Sequence, residues 1–403
     1  MLTLLGYICI GASIAWSSYP AFESVFLKKK YEKKKLIENL YKAFKNGDLY
    51  KKQDNQEFYP ILLNTELKKD KMTFIFTVPK GMNPDDFKEK EYVFQQHFGR
   101  YIDLGIDVSR VILKVYQKGL PTKINYDYDK IKESLKINRL PIVAGQNLEG
   151  NVFSFDLVTN PHILIAGETG GGKSSAIRSI LSTLIQVKKP DELQLLLGDL
   201  KRSEFHLFKN IEHVEGVYHS ANELKAPLKK IKREMERRGD KLDEAGVNSI
   251  DELKEKLPYI VICIDEVRLL KKEPDVMDII EEVSSIGRSL GIFLILAMQR
   301  PDSKLLEGAL KVNLTVRMGF KTADKTNSKI IGTKGAEKTN IPGRMILGVN
   351  SNFQEIQSPW LSNDKAKKLL KPYKVSPKIG KKSEVTQKDE YSKVRELLRH
   401  EEA

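Results

Sequence analysis

Gly167-Glu168-Thr169-Gly170-Gly171-Gly172-Lys173-Ser174 fits the pattern G-x-x-x-x-G-K-[ST]. The chemistry such a run serves is phosphate binding. Its glycines let the backbone wrap closely around an anion with N–H groups pointing inward, and the dipole of a following helix adds to the attraction. Lys173 suits the β- and γ-phosphates, Ser174 suits Mg2+, and Ser175 continues the same phosphate-binding stretch. The expected cofactors are therefore ATP and Mg2+.

A metal on a triphosphate needs acidic partners, and the apolar run Tyr259-Ile260-Val261-Ile262-Cys263-Ile264 leads directly into Asp265-Glu266. The pattern places Asp265 at Mg2+ through its water shell and Glu266 where it can polarise an attacking water. A third run, Phe293 to Met298, ends at Gln299, a polar tip able to sense a γ-phosphate. Two arginines could serve a neighbouring subunit's nucleotide: Arg288, which precedes Gly291, and Arg317, inside the last apolar run.

The elements that must hold these residues can be read from periodicity. Short apolar runs at His162–Ala166, Leu193–Leu197, Tyr259–Ile264, Phe293–Met298 and Leu314–Phe320 alternate with longer helical stretches. Such alternation predicts a mostly parallel sheet covered by helices, an α/β fold. Between the first two runs, Ala176, Ile177, Ile180, Leu181, Leu184 and Ile185 share one face of a helix over 173–186. Upstream, residues 50–135 read as a small α+β domain. Its strand candidates are Met72–Thr77 and Arg110–Tyr116, and a helix start is predicted at Asn83-Pro84-Asp85-Asp86.

Composition narrows the class. With 40% hydrophobic and 30% charged residues, wholesale disorder is excluded. Cys9 and Cys263 each sit in an apolar run, which excludes a disulfide scaffold, and the six histidines are scattered rather than spaced as metal ligands. The 68 Lys and Arg against 54 Asp and Glu leave a net charge of +14, which favours polyanionic partners such as nucleic acid or anionic lipid.

No charged residue precedes Glu23, and Leu2 to Trp16 is rich in Leu, Ile, Ala and Gly. Because Lys28–Lys30 and Lys33–Lys35 follow this run instead of preceding it, it reads as a spanning helix rather than a signal peptide. The positive-inside rule then puts the rest of the chain in the cytoplasm, on a single-pass protein of the cell membrane. The expected organisation is a transmembrane anchor over 1–26, a basic juxtamembrane segment over 27–49, the small domain over 50–135, the nucleotide-binding domain over 136–363 and a polar tail over 364–403.

Several ordered stretches, GETGGGKS, GDLKRSEF at 198–205, MERRGDKLDEAGV at 235–247, VICIDE at 261–266, LAMQRP and GAEK at 335–338, together resemble the FtsK/SpoIIIE family of DNA translocases. The resemblance spans roughly residues 140–362. It implies a RecA-like P-loop motor that assembles as a hexameric ring and moves DNA with ATP. It supports the roles given above to Lys173, Ser174, Asp265, Glu266 and Gln299, and among the arginines it favours Arg288, in IGRSLG. Chromosome-segregating members carry several membrane helices, a long linker and a C-terminal winged-helix module, whereas this sequence reads as one spanning helix, little linker and fewer than 45 residues after the motor. A short, singly anchored member is similar to the coupling proteins of Gram-positive conjugative elements, whose partners are DNA, a relaxase and mating-channel proteins. The alternatives are a chromosome or plasmid segregation translocase and a protein-secretion ATPase.

Overall fold

A strand whose successive side chains are all apolar must be covered on both faces. Tyr259–Asp265 and Ile292–Met298 are such strands, and residues 260–265 and 292–298 are buried without exception. They lie at the centre of the larger of two units that divide after Gly119 in the computed structural model, which describes residues 33–376 apart from Lys69, Glu307 and Ser351. The expected membrane anchor, residues 1–26, lies outside the described residues. Among those described, no helix is long and apolar enough to cross a membrane.

The first unit contains helix α1 (33–46), strands β1 (Lys51–Gln53), β2 (Gln56–Phe58), β3 (Leu62–Leu67) and β4 (Lys71–Thr77), helices α2 (Asp86–Glu89) and α3 (Glu91–Phe98), and strands β5 (Ile102–Ile106) and β6 (Arg110–Tyr116). β3, β4, β6 and β5 make an antiparallel sheet in that order. Its inward side chains, among them Phe74, Phe76, Leu104, Val111 and Leu113, pack with Phe87 and Phe94 of α2 and α3. The helix start expected at Asn83–Asp86 is present, with the Asp85 amide donating to the Asn83 side-chain oxygen at 3.1 Å. One expectation is corrected. Residues 33–46 are not merely a basic segment but a helix that buries Leu40, Ala43 and Phe44 in this core. The flanking lysines hid an apolar stripe at helical spacing.

The second unit runs through β7 (Ile124–Asn125), α4 (Tyr128–Leu135), β8 (Pro141–Gln146), β9 (Val152–Asp156), β10 (Ile163–Ala166), α5 (Lys173–Val187), β11 (Leu193–Asp199), β12 (Val214–Tyr218), α6 (Ala221–Ala245), β13 (Tyr259–Asp265), α7 (Pro274–Ile286), β14 (Ile292–Met298), α8 (Gly308–Asn313), β15 (Val316–Phe320), α9 (Lys325–Ile331), β16 (Arg344–Val349), β17 (Asn352–Gln357), β18 (Pro359–Trp360) and α10 (Asn363–Leu370). Ten of its strands form one sheet in the order β12-β11-β13-β14-β10-β15-β16-β17-β8-β9. Neighbours are parallel from β12 to β15 and antiparallel from β15 to β9.

Period-2 alternation sends Val261, Cys263, Phe293 and Ile295 to the face covered by α5, and Ile260, Ile262, Leu294 and Leu296 to the face covered by α6 and α7. Two expected boundaries shift. α4 packs on β8 and β9, burying Ile131 and Leu135, so the second unit begins well before residue 136. α10 packs on α5 and buries Ala366 and Leu370, so the chain just past 363 belongs to this core rather than to a polar tail.

His162 leads into β10 in the left-handed region, φ +61°, and is buried. Its Nδ1 accepts the Leu294 amide at 3.0 Å, which fixes the proton on Nε2. Burial pushes its pKa down to about 4, with the backbone at Ser284 pulling weakly the other way. A neutral folded histidine contributes stability above the unfolded pKa near 6.5, and that contribution fades as the pH falls toward 4; the full loss is about 3 kcal/mol. Asn tolerates this backbone region and can still accept the Leu294 amide. In urea titrations from pH 7 to 4, the native chain should therefore lose stability more steeply than His162→Asn. Parallel curves would show that His162 is not a source of the acid sensitivity.

Candidate nucleotide-binding site

Parallel strands open their carboxyl ends onto one crevice. At that edge the chain turns sharply from β10 into α5 through the glycine-rich loop. Gly172 takes a left-handed φ of +108°, and a Cβ there would run into the backbone of Gly343. The loop is tied on three sides. The Gly167 amide donates to Met298 O at 3.3 Å, the Glu168 amide to Lys321 O at 2.8 Å, and the Gly343 amide to Gly171 O at 2.8 Å. The first-turn amides of α5 have no partner within the helix, so the loop presents donors and a positive dipole end to an anion.

Around this seat the charged side chains form two linked sets. Lys173, only 4% exposed, is ion-paired with Asp265 at the end of β13. The Ser174 hydroxyl donates to Glu204 at 2.6 Å, and Glu204 faces Arg178 at 3.6 Å. Burial lowers the pKa of Arg178, and Glu204 opposes that shift. Beside Asp265, Glu266 is 3% exposed and sits at φ 60°, ψ 53°. Its Oε2 accepts from Lys201 Nζ at 2.8 Å and from the Gln299 amide at 3.1 Å.

The aim of Lys201 and Glu204 comes from a buried acid. Asp199 ends β11 directly across from Asp265 on β13 and accepts the amides of Ser203 at 3.0 Å, Glu204 at 3.2 Å and Phe205 at 2.9 Å. A carboxylate holding three amides fixes the turn that carries both side chains. Lys201 and Glu204 are the site residues that pattern reading passed over. Their only sequence signal is the polar run GDLKRSEF, which breaks off directly after an apolar strand.

The structure gathers Gly167, Gly171, Gly172, Lys173, Ser174, Asp265 and Glu266 at one edge, with Glu168, Thr169 and Gly170 on the crest of the loop. Gln299 joins them, and its described contact is through its backbone rather than its amide side chain. Ser175 faces the other way, accepting the Leu361 amide at 2.9 Å and donating to Pro359 O at 3.4 Å. Arg288 is elsewhere. It is exposed ahead of β14, at the opposite end of a seven-residue strand, so roughly 20 Å of sheet separates it from the loop of its own chain. Arg317 lies at that far end too, donating to Lys311 O at 2.8 Å and Ile331 O at 3.1 Å, where it ties the ends of α8 and α9.

Backbone amides with one ammonium, one hydroxyl and two strand-end carboxylates suit a polyphosphate carrying Mg2+, an ion that takes few protein ligands and shares the rest with phosphate and water. Lys173 could hold the phosphates, and Ser174 with Asp265 the metal. Gly172→Ala should reduce nucleotide affinity on the order of tenfold or more, because the loop cannot keep both its φ and its contact with Gly343. Calorimetric titration with ATP, alongside circular dichroism to confirm an intact fold, would measure this. Unchanged affinity would mean that the loop does not form the binding surface.

Residues 127–257 match the FtsK/SpoIIIE family. The DNA translocase FtsK of Borreliella burgdorferi is 35% identical over 254 residues, 59% of this chain and 32% of that protein. The Staphylococcus aureus protein of the same name is 32% identical over 253 residues, 58% of this chain and 32% of that one. The chain thus spans about a third of the length of these relatives. Among solved structures, the pCW3 conjugation coupling protein TcpA, in a monomer form with ATPγS, aligns with a TM-score of 0.57 and 24% identity, covering 82% of this chain and 98% of that one. ATPases 2 and 3 of EssC from Geobacillus thermodenitrificans align with a TM-score of 0.57 and 20% identity, covering 64% of this chain and 52% of that one. Identities this low speak for the fold alone. The sequence match over residues 127–257 and the fold agree: this part of the chain is similar to the FtsK/SpoIIIE family, and its fold is a P-loop ATPase-like α/β fold with a mixed, mostly parallel sheet.

Proposed function

We propose that this chain is a membrane-anchored, ATP-driven DNA translocase that serves as a conjugative coupling protein, delivering relaxase-bound DNA to a mating channel. The observation that carries the ATPase part is the convergence of Lys173, Ser174, Asp265 and Glu266 at one sheet edge, with the Gln299 backbone bonded to Glu266. DNA as substrate is supported by the FtsK/SpoIIIE match and by the net charge of +14. The coupling role takes up the name of TcpA, a conjugation coupling protein whose fold this chain shares over 82% of its length. The anchor rests on the uncharged stretch before Glu23 and the lysines that follow it.

In this reading Lys173 would leave Asp265 for the β- and γ-phosphates, and Asp265 with Ser174 would then hold Mg2+. When bound, ATP would supply the anhydride whose hydrolysis drives the motor, and Mg2+ would neutralise charge on its phosphates. Glu266 orients and polarises the attacking water, and the Lys201 ammonium and the Gln299 N–H fix the direction of its carboxylate. Gln299, bonded to that glutamate, reports the γ-phosphate to the strand behind it. Arg288 lies at the far end of the sheet from its own loop and serves the nucleotide of the next subunit in a hexameric ring.

The second reading, a chromosome or plasmid segregation translocase, is favoured by the names of the curated relatives. Secretion of small proteins is a more distant third.

Glu266→Gln should retain ATP affinity and lose turnover by about a hundredfold or more, while Lys173→Ala should lose both. Steady-state phosphate release and calorimetric ATP binding would separate the two effects, and full hydrolysis in Glu266→Gln would remove that residue from the chemistry. In cells, Lys173→Ala should abolish conjugative transfer while leaving chromosome partition intact. Normal mating with failed partition would favour the segregation reading instead.

A further inference from the structure

Trp360 is the only tryptophan besides Trp16, which belongs to the N-terminal apolar run. Its backbone is unusually constrained for a surface residue. Ser175, in the first turn of α5, accepts from the residue after Trp360 and donates to the residue before it. The Arg178 guanidinium donates to Leu361 O at 2.7 Å, and the Tyr126 amide donates to Trp360 O at 3.0 Å. Pro359 and Leu361 on either side are buried, whereas Trp360 itself is 47% exposed. The segment is therefore pinned to the phosphate-loop helix with its largest apolar side chain outward.

One partner meets that ring. Parallel pairing of β7 with β18 sets Ile124 against Pro359 and Asn125 against Trp360, which carries Lys123 over the indole at 3.7 Å from the ring centroid. Exposed cation–π pairs are weak and a lysine stem is flexible, so the face opens at little cost. Single exposed aromatics are ordinary. What sets this one apart is its lock to Ser175, whose own backbone amide lies in the turn that receives the phosphates. A nucleotide held there by its phosphates carries a ribose and a base beyond that turn, and the indole is anchored to a serine of the same turn.

We propose that Trp360 is the platform on which the base of the bound nucleoside triphosphate stacks, with Lys123 covering it when no base is present. The inference rests on the reading of the glycine-rich loop as a triphosphate site and adds the part of the ligand the loop does not touch. Lys173, Ser174 and Asp265 address phosphate and metal, which every nucleotide shares. A stacking face addresses the base, and it does so with tolerance, because every base presents a π-face.

The test uses the full chain with Trp16→Phe, which leaves Trp360 as the sole indole reporter. Its emission should change on adding ATP and stay unchanged on adding inorganic tripolyphosphate. By calorimetry, Trp360→Ala should weaken ATP by about tenfold, the range expected for one base–aromatic contact, and leave tripolyphosphate affinity unaltered. Trp360→Phe should restore most of the loss. Equal losses for ATP and tripolyphosphate in Trp360→Ala would overturn the proposal by showing damage to the loop itself. An emission change that tripolyphosphate reproduces would overturn it as well, by reporting loop movement rather than stacking. If tripolyphosphate binds the unsubstituted chain as tightly as ATP does, stacking alone is refuted. If neither binds, the triphosphate reading of the loop falls and this inference with it.

Discussion

Taking an ammonium and a carboxylate out of water together costs more solvation than their attraction returns, unless further partners complete the pair. Lys173 and Asp265 are 4% and 1% exposed and face each other across the end of the sheet. Such a pair is a poor investment in stability, and its worth lies in what it holds in place. Three parallel strands, β10, β13 and β14, must end level with one another for the two side chains to meet, and their register achieves this. The helices on both faces, the doubly buried strands and the loop ties at Met298 and Lys321 all serve that alignment.

The neighbouring carboxylate carries a second cost. Glu266 occupies a left-handed backbone conformation that a side chain adopts only at an expense of about 1–3 kcal/mol. Lys201 and the Gln299 amide offset it by holding both the charge and the direction of the carboxylate. Two strands, β11 and β14, thereby act on one side chain at the tip of a third. Asp199 makes the arrangement possible from beneath by fixing the turn after β11, so removing this buried acid would disorganise the site.

How much of this could be read from the sequence depended on how local each signal was. The phosphate loop, the strand ending at Asp265 and the face of α5 are each written within a single element, and glycine spacing or a period of 3.6 or 2 reveals them. The four antiparallel strands β16, β17, β8 and β9 were not anticipated. Arg344, Gln357 and Asp156 interrupt their apolar pattern because those polar groups are satisfied by distant partners: Arg344, for one, reaches the carbonyls of Leu120 and Pro121. α1 was hidden by lysines that occupy the solvent side of its stripe. Lys201 and Glu204 could not be assigned because their positions follow from Asp199 and from the pairing of β11 with β13, contacts between residues far apart in the chain.

The meeting of Gly172 with Gly343 has a mechanical side. Two glycines in backbone contact leave no side chain between them to bend or change rotamer, and the Gly343–Gly171 hydrogen bond closes the same joint. The phosphate loop and the turn leading into β16 therefore behave as a stiff coupling with no compliant washer. A displacement of the glycine-rich loop has no side chain to absorb it before it reaches the start of β16, and a displacement of β16 has none before it reaches the loop.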